Sequence, residues 1–232
     1  MPARRDYLAV SRIALCTSLA MLSSIFGVGA APLHEAVSAQ DFERTRALLA
    51  STQDINQRDR AGMAPIHYAV LEGRVELVEM LLQGGADLDI AVDTSQAEVA
   101  HYVSIHEFFP LHIAANRNSL EVAGLLIARG ASVHRTTDDR RSALHIAARK
   151  GNHRLVRMLI DHGADVDARD FESYTPLYDA ACNGRLAVVE LLLASGADIT
   201  AQGDDGQTAY DCALHRNQDD VVSYLERIGI TT

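Results

Sequence analysis

The sequence predicts an all-α solenoid of about six helix–turn–helix units with one extended inter-repeat loop. Two observations carry that prediction. A Pro-Leu-His-like segment recurs as Pro32-Leu33-His34, Pro65-Ile66-His67, Pro110-Leu111-His112, Ala143-Leu144-His145, Pro176-Leu177-Tyr178 and Ala209-Tyr210-Asp211. Leu33 to Ile66 is a step of 33 residues, and the same step separates Leu111, Leu144, Leu177 and Tyr210; only Ile66 to Leu111 differs, at 45, which is one period plus 12 residues. A fixed period of this size marks stacked supersecondary units.

Each element of the period has a physical reason. Small residues follow the Pro-Leu-His segment (Ala69, Ala114-Ala115, Ala147-Ala148, Ala180-Ala181), giving a short helix of little bulk that a neighbour can approach closely. Pro at its first position costs no hydrogen bond. Gly73, Asn118, Gly151 and Gly184 come next, and then apolar runs over 75–82, 120–127, 155–160 and 186–193. Their i, i+3, i+4 spacing predicts a second helix with one buried stripe. Gly-Ala-Asp or a close relative closes each run at Gly85, Gly130, Gly163 and Gly196, where glycine suits a left-handed cap. One unit cannot bury its own stripe, so the units must stack.

The pattern resembles the ankyrin repeat, whose hallmark is Thr-Pro-Leu-His-x-Ala-Ala followed by a helix and Gly-Ala-Asp-Val-Asn. The match runs from about Ala31 to the C-terminus, with units at 31–58, 59–89, 108–134, 138–167, 170–200 and 204–232 and an insertion at 90–107. The resemblance implies that His34, His67, His112 and His145 brace the turns between neighbouring units. The end copies depart from the pattern. The first has Ser51-Thr52-Gln53 in place of Gly-Gly-Ala, and the last replaces Leu-His by Tyr210-Asp211 and carries Arg216, Asn217, Asp219 and Asp220. Terminal repeats need a polar outer face, so both read as caps.

Residues 1–30 read as a signal peptide. Arg4, Arg5 and Arg12 precede an apolar core over 13–26 and the small residues Gly27 to Ala31, with Val28-Gly29-Ala30 the expected cleavage sequence. The alternative is a retained anchor, because 13–31 is just long enough to span a bilayer. Cys16 sits in mid-core behind Leu15, which argues against a lipidation site. The expected location is periplasmic or secreted. Beyond the leader only Cys182 and Cys212 remain. Neighbouring helices about a helix diameter apart, with a further offset of most of a turn, place these beyond the roughly 7 Å Cα reach of a disulfide, which predicts two unpaired thiols.

The formal net charge is −10, and a leader with three Arg and one Asp leaves about −12 after its removal. Such a surface repels nucleic acid and anionic membranes. Arg117, Arg149 and Lys150, with Arg140-Arg141 on the adjoining turn, are a local basic exception and could meet an acidic partner. No catalytic, cofactor or metal residues are expected. Asp87/Asp89 and Asp165/Asp167 occupy matching turn positions, where Asp bonds to nearby backbone. There is no Gly-x-Ser-x-Gly, phosphate-binding Gly loop or His-Glu-x-x-His. His101 and His106 in the insertion lack a ligand spacing.

The insertion carries Tyr102, Phe108 and Phe109, a quarter of the aromatics. Over-long loops tend to be functional, and exposed aromatics in a polar frame anchor interfaces; alternatively Phe108 and Phe109 fold back over the third unit. Phe171 and Tyr174 lie on the turn opening the fifth unit, on the same edge. The expected activity is therefore non-enzymatic protein binding along a concave face and turn tips, by a monomer without cofactors. The expected contacts are Tyr102, Phe108, Phe109, Arg117, Arg149, Lys150, Phe171 and Tyr174. The rival readings are a membrane-tethered adaptor and a metal-binding or catalytic site in 90–109. Small exported bacterial ankyrin proteins are associated with assisting a partner enzyme, as in catalase-linked oxidative defence, or with neutralising a toxin. The resemblance implies a role of that kind.

Overall fold

The computed structural model describes residues 32–52, 54–93 and 108–230, and the regular elements among them are all helices. Inner helices open on the Pro-Leu-His segment: α1 (Pro32–Ser38), α3 (Pro65–Leu71), α5 (Pro110–Arg117), α7 (Ala143–Lys150), α9 (Pro176–Cys182) and α11 (Ala209–His215). Each is followed by an outer helix: α2 (Phe42–Leu49), α4 (Val75–Gln83), α6 (Leu120–Ala128), α8 (His153–Asp161), α10 (Leu186–Ala194) and α12 (Asp219–Arg227). The helices fall into two compact units that divide between Phe108 and Phe109. In the first unit α1 packs on α3 and α2 on α4. In the second, α5, α7, α9 and α11 form one row and α6, α8, α10 and α12 another.

Side-chain caps start three of the inner helices, and left-handed residues end two of them. Ser142, Thr175 and Thr208 accept through their side chains from the third helical N–H of α7, α9 and α11. Asn118 and Gly151, both left-handed, end α5 and α7. The outer helices stop at glycines such as Gly163, whose φ is 87°. A Cβ there would meet nothing within 4 Å, so backbone conformation alone calls for glycine. In the first repeat, hydroxyls do this work: Ser51 Oγ and Thr52 Oγ1 donate to the Leu48 carbonyl at 3.2 and 2.7 Å. The stripe read from the sequence is the core. Leu144, Ile146, Leu155, Leu159, Leu177 and Leu192 are fully buried, each worth about 1.5–3 kcal/mol of transfer free energy.

Four kinds of brace join neighbouring repeats within the two units. His34 and His145 approach the Met63 and Tyr174 carbonyls through Nε2, at 3.0 and 3.1 Å and both 29 residues on, and His67 approaches Ile90 O at 2.9 Å. The other ring nitrogen accepts locally: Ala64 N–H donates to His67 Nδ1 at 2.8 Å and Ser142 N–H to His145 Nδ1 at 3.2 Å. Arg58 and Arg169 donate to the Ala91 and Gln202 carbonyls, 33 residues on. Arg185 Nε and Gln218 Nε2 reach back 36 residues to the carbonyls of Arg149 and Cys182. Asp87 N–H and Asp198 N–H donate to Asn56 and Asp167, 31 residues before them. The paired carboxylates are turn residues, as expected: Asp89 N–H donates to Asp87 Oδ1 and Asp167 N–H to Asp165 Oδ1.

The expectation of two unpaired thiols is corrected. Cys182 and Cys212 form a disulfide, with Cα atoms 5.1 Å apart. A full helix diameter overestimates the spacing of α9 and α11. Ala180, Ala181 and Ala213 on these helices are fully buried, and small residues let backbones approach well inside the ~10 Å side-chain envelope.

The insertion's base also differs from its expected boundary. Ile90 and Val92 are buried. Val92 N–H donates to Phe108 O and Asp93 N–H to Gly62 O. Residues 94–107, with His101, Tyr102 and His106, lie outside the described residues.

Candidate docking face

The second unit presents three consecutive turn tips, at 137–141, 170–174 and 203–207. Each is closed by a backbone bond: Thr137 N–H to Arg141 O, Asp170 N–H to Tyr174 O and Gly203 N–H to Gln207 O. Rungs join the tips to one another, Phe171 N–H to Asp139 O at 2.8 Å and Asp204 N–H to Glu172 O at 3.0 Å. The tips thus form a hydrogen-bonded ladder, so their side chains are held in fixed register.

Phe171 stands on the middle tip with 72% of its surface exposed, the most exposed of the large hydrophobic residues described. Tyr174, on the same turn, is half-buried: its ring stacks on Tyr178 at 3.8 Å and 14°, and its hydroxyl donates to Asp205 at 2.8 Å. Shielding from solvent, together with the Tyr178 and Asp205 contacts, pushes the Tyr174 phenol up. Tyr178 replaces the repeat's histidine and keeps its reach, donating to Gln207 Oε1 at 3.3 Å, again 29 residues on. In the last repeat Asp211 only caps its own helix, accepting from Thr208 N–H and Oγ1.

Behind the tips lies a buried ionic cluster that residue-by-residue reading missed. Asp170 is 2% exposed; its Oδ1 accepts from Glu172 N–H and Tyr174 N–H, and its Oδ2 receives Arg141 Nε and Nη2 at 3.2 and 3.1 Å. Burial works against the Arg141 charge, but Asp179, Asp170 and Asp139 outweigh it and hold the guanidinium above its ordinary value. Asp179 is 7% exposed and its Oδ2 has no hydrogen-bond partner among the described residues. The signal was its break of pattern: Ile113 and Ile146 fill the same repeat position.

The sequence-derived contacts are not all alike. Phe109 is the N-cap of α5, its ring 5.5 Å from His112 and 5.4 Å beneath the Arg135 guanidinium, and it is half-buried. Phe108 is half-buried and accepts from Val92 through its carbonyl. Arg117 and Lys150 are exposed at matching ends of α5 and α7. Arg149 is not their equivalent. It aligns with buried Asn116 and is half-buried itself. Burial lowers its pKa, Asp179 opposes that, and Arg141 adds to it. Tyr102 lies outside the described residues. Among the described residues no three His, Cys, Asp or Glu side chains could together hold a metal ion, and no helix is long and apolar enough to cross a membrane.

A family model described as Ankyrin repeats (3 copies) matches residues 8–92 and 111–203. This chain belongs to the ankyrin-repeat family. It is similar to human Protein phosphatase 1 regulatory subunit 27, 39% identical over 72 residues that cover 31% of this chain and 47% of that protein. Human Ankyrin repeat and SOCS box protein 11 is 39% identical over 116 residues, 49% of this chain and 31% of that one. The Probable 26S proteasome regulatory subunit p28 of Saccharomyces cerevisiae is 32% identical over 108 residues, 45% and 43% respectively. The chain thus spans under half the length of these curated relatives. Ankyrin repeats build protein–protein interaction scaffolds, and the braced ladder gives this array the rigid surface such scaffolds use.

Proposed function

We infer that this chain is a non-enzymatic interaction scaffold, exported to the periplasm or secreted, that docks a partner protein on its turn tips and inner-helix face. The observation that carries this reading is Phe171, 72% exposed on a tip whose backbone is fixed by rungs on both sides. An aromatic held in place loses little entropy on binding and suits an interface anchor. Phosphatase and proteasome regulatory subunits among the relatives support an interaction role. The Cys182–Cys212 disulfide supports export, because such bonds persist in oxidising compartments, and so does the leader at 1–30.

The test is affinity capture from a periplasmic or culture extract with the parent chain and with Phe171→Ser, alongside mass measurement of the mature N-terminus. A partner retained by the parent and reduced with the variant supports the scaffold, and a mass beginning near Ala31 supports export over a retained anchor. Equal capture by both chains removes Phe171 from the interface.

A further inference from the structure

We propose that the tip ladder of the second unit is an acidic, aromatic-centred cradle for a basic, extended segment of a partner protein. This rests on the docking reading above and names the partner's chemistry. Around Phe171 stand Asp138, Asp139, Glu172, Asp204 and Asp205, all exposed. The ladder fixes their order: Asp139 is hydrogen-bonded to Phe171 through the backbone, and Glu172 to Asp204. The nearby cations are mostly committed elsewhere. Arg141 is bound to Asp170, and Arg169 Nη1 to the Ser173 and Gln202 carbonyls, while Arg140 is exposed; the five carboxylates outnumber the Arg140 and Arg169 charges.

The local field shows in Glu172, whose carboxyl is pushed up by partial shielding and then by Asp170, with Asp205 and Asp139 adding and Arg141 opposing. A further positive charge brought alongside relieves that repulsion. The carboxylates line successive tips rather than converging, and no metal-holding trio occurs among the described residues. An extended polycation therefore fits the spacing better than a point ion. Exposed aromatic faces attract Arg and Lys, so Phe171 serves the same partner as the acids around it.

The probe is a short fluorescein-labelled peptide of alternating Arg and Leu, with a Glu-for-Arg counterpart, titrated against the full chain by anisotropy. The Arg peptide is expected to bind at least about tenfold more tightly than the Glu peptide and to weaken severalfold between about 50 and 300 mM NaCl. The variant Asp139→Asn/Glu172→Gln/Asp204→Asn keeps the rungs, which run through backbone groups, and should weaken the Arg peptide about tenfold. Phe171→Ser should do the same while keeping the salt dependence. A control with the same charge change on the outer helices, Glu121→Gln/Asp161→Asn/Glu190→Gln, should leave affinity near the parent's. Failure of the Arg peptide to bind overturns the proposal. Equal binding by the tip variants, or an equal loss in the control, does so too. An extract partner captured undiminished by the tip triple sinks the basic-segment inference and leaves the scaffold; capture of nothing by the parent sinks the scaffold.

Discussion

Cys182, the last residue of α9, is covalently joined to Cys212 in the middle of α11, with 5.1 Å between their Cα atoms. The bond ties the final repeat to its neighbour at the one interface where the histidine brace is gone from both sides. Tyr178 reaches Gln207 only side chain to side chain, and Asp211 bonds to Thr208 of its own unit.

Replacing both cysteines with Ser, or adding dithiothreitol, should therefore destabilise the last repeat first. Closing the 30-residue loop is worth about 2–4 kcal/mol in chain-entropy terms. In a repeat array that loss stays local. Hydrogen exchange should rise over 204–230 while α5 and α7 keep their protection. Uniform loss across the second unit would show instead that its four repeats unfold as one.

Acid should unfold the array by a histidine route. Burial takes His67 and His112 down to about 4 from 6.5. For His67 the Ile90 carbonyl and Asp59 oppose the shift and Arg58 and His34 add to it; for His112 the Arg135 and Arg141 carbonyls oppose it and His145 adds to it. A histidine with a lowered folded pKa contributes stability that is complete above pH 6.5 and lost as pH falls toward 4. The loss at pH 5 is about 2 kcal/mol per histidine. Urea midpoints should fall between pH 7.5 and 4.5, and His67→Gln/His112→Gln should flatten that slope. An unchanged slope in the double variant would assign the acid loss to other groups.

Asp170 and Asp179 should both be costly to remove, Asp170 the more so. Asp170→Ala removes acceptors for Glu172 N–H, Tyr174 N–H and Arg141 together, and breaking a buried pair from one side costs about 3 kcal/mol or more. Asp179→Ile restores the residue type of Ile113 and Ile146 and removes a buried oxygen that lacks a partner. It also takes away the leading opposite charge of the partly buried Arg141 and Arg149, so it should destabilise by about 1–3 kcal/mol, less than Asp170→Ala. Thermal melts of the two variants decide this. A loss in Asp179→Ile as large as in Asp170→Ala would put the Asp179 charge on a par with the whole Asp170 network, and a gain in stability would show that its unpartnered oxygen outweighs its charge.

Much of this architecture was legible because the repeat prints the same physics several times. The 33-residue step placed the inner helices, the apolar runs placed the outer ones, and His34, His67 and His145 brace the turns as the resemblance implied. What escaped were features made between copies. The disulfide depended on how near two Ala-faced helices come, which a generic helix diameter misjudges. Arg141, Asp170 and Asp179 are ordinary surface types singly and form a buried cluster only once consecutive repeats are laid in register. The acidic ladder escaped likewise, because Asp139, Glu172 and Asp204 come together only through inter-repeat rungs. Residues 94–107 repeat nothing, so no register places Tyr102.

Phe109 and Phe171 should separate stability from docking. Both were read as contacts, yet Phe109 is half-buried at the N-cap of α5 between His112 and Arg135, whereas Phe171 is mostly exposed. Phe109→Ser removes a partly buried ring and a cation–π contact, so it should lower the stability of the second unit by about 1–2 kcal/mol. Phe171→Ser gives up little burial and should stay within about 0.5 kcal/mol of the parent, while partner capture falls. Tyr102→Ser/Phe108→Ser tests the insertion in the same way, with capture lost and the melt retained if those rings face a partner. Melting curves and capture run side by side on each variant separate the two effects. If Phe171→Ser lowers the melting temperature as far as Phe109→Ser does, its ring is part of the fold and the docking face must lie elsewhere.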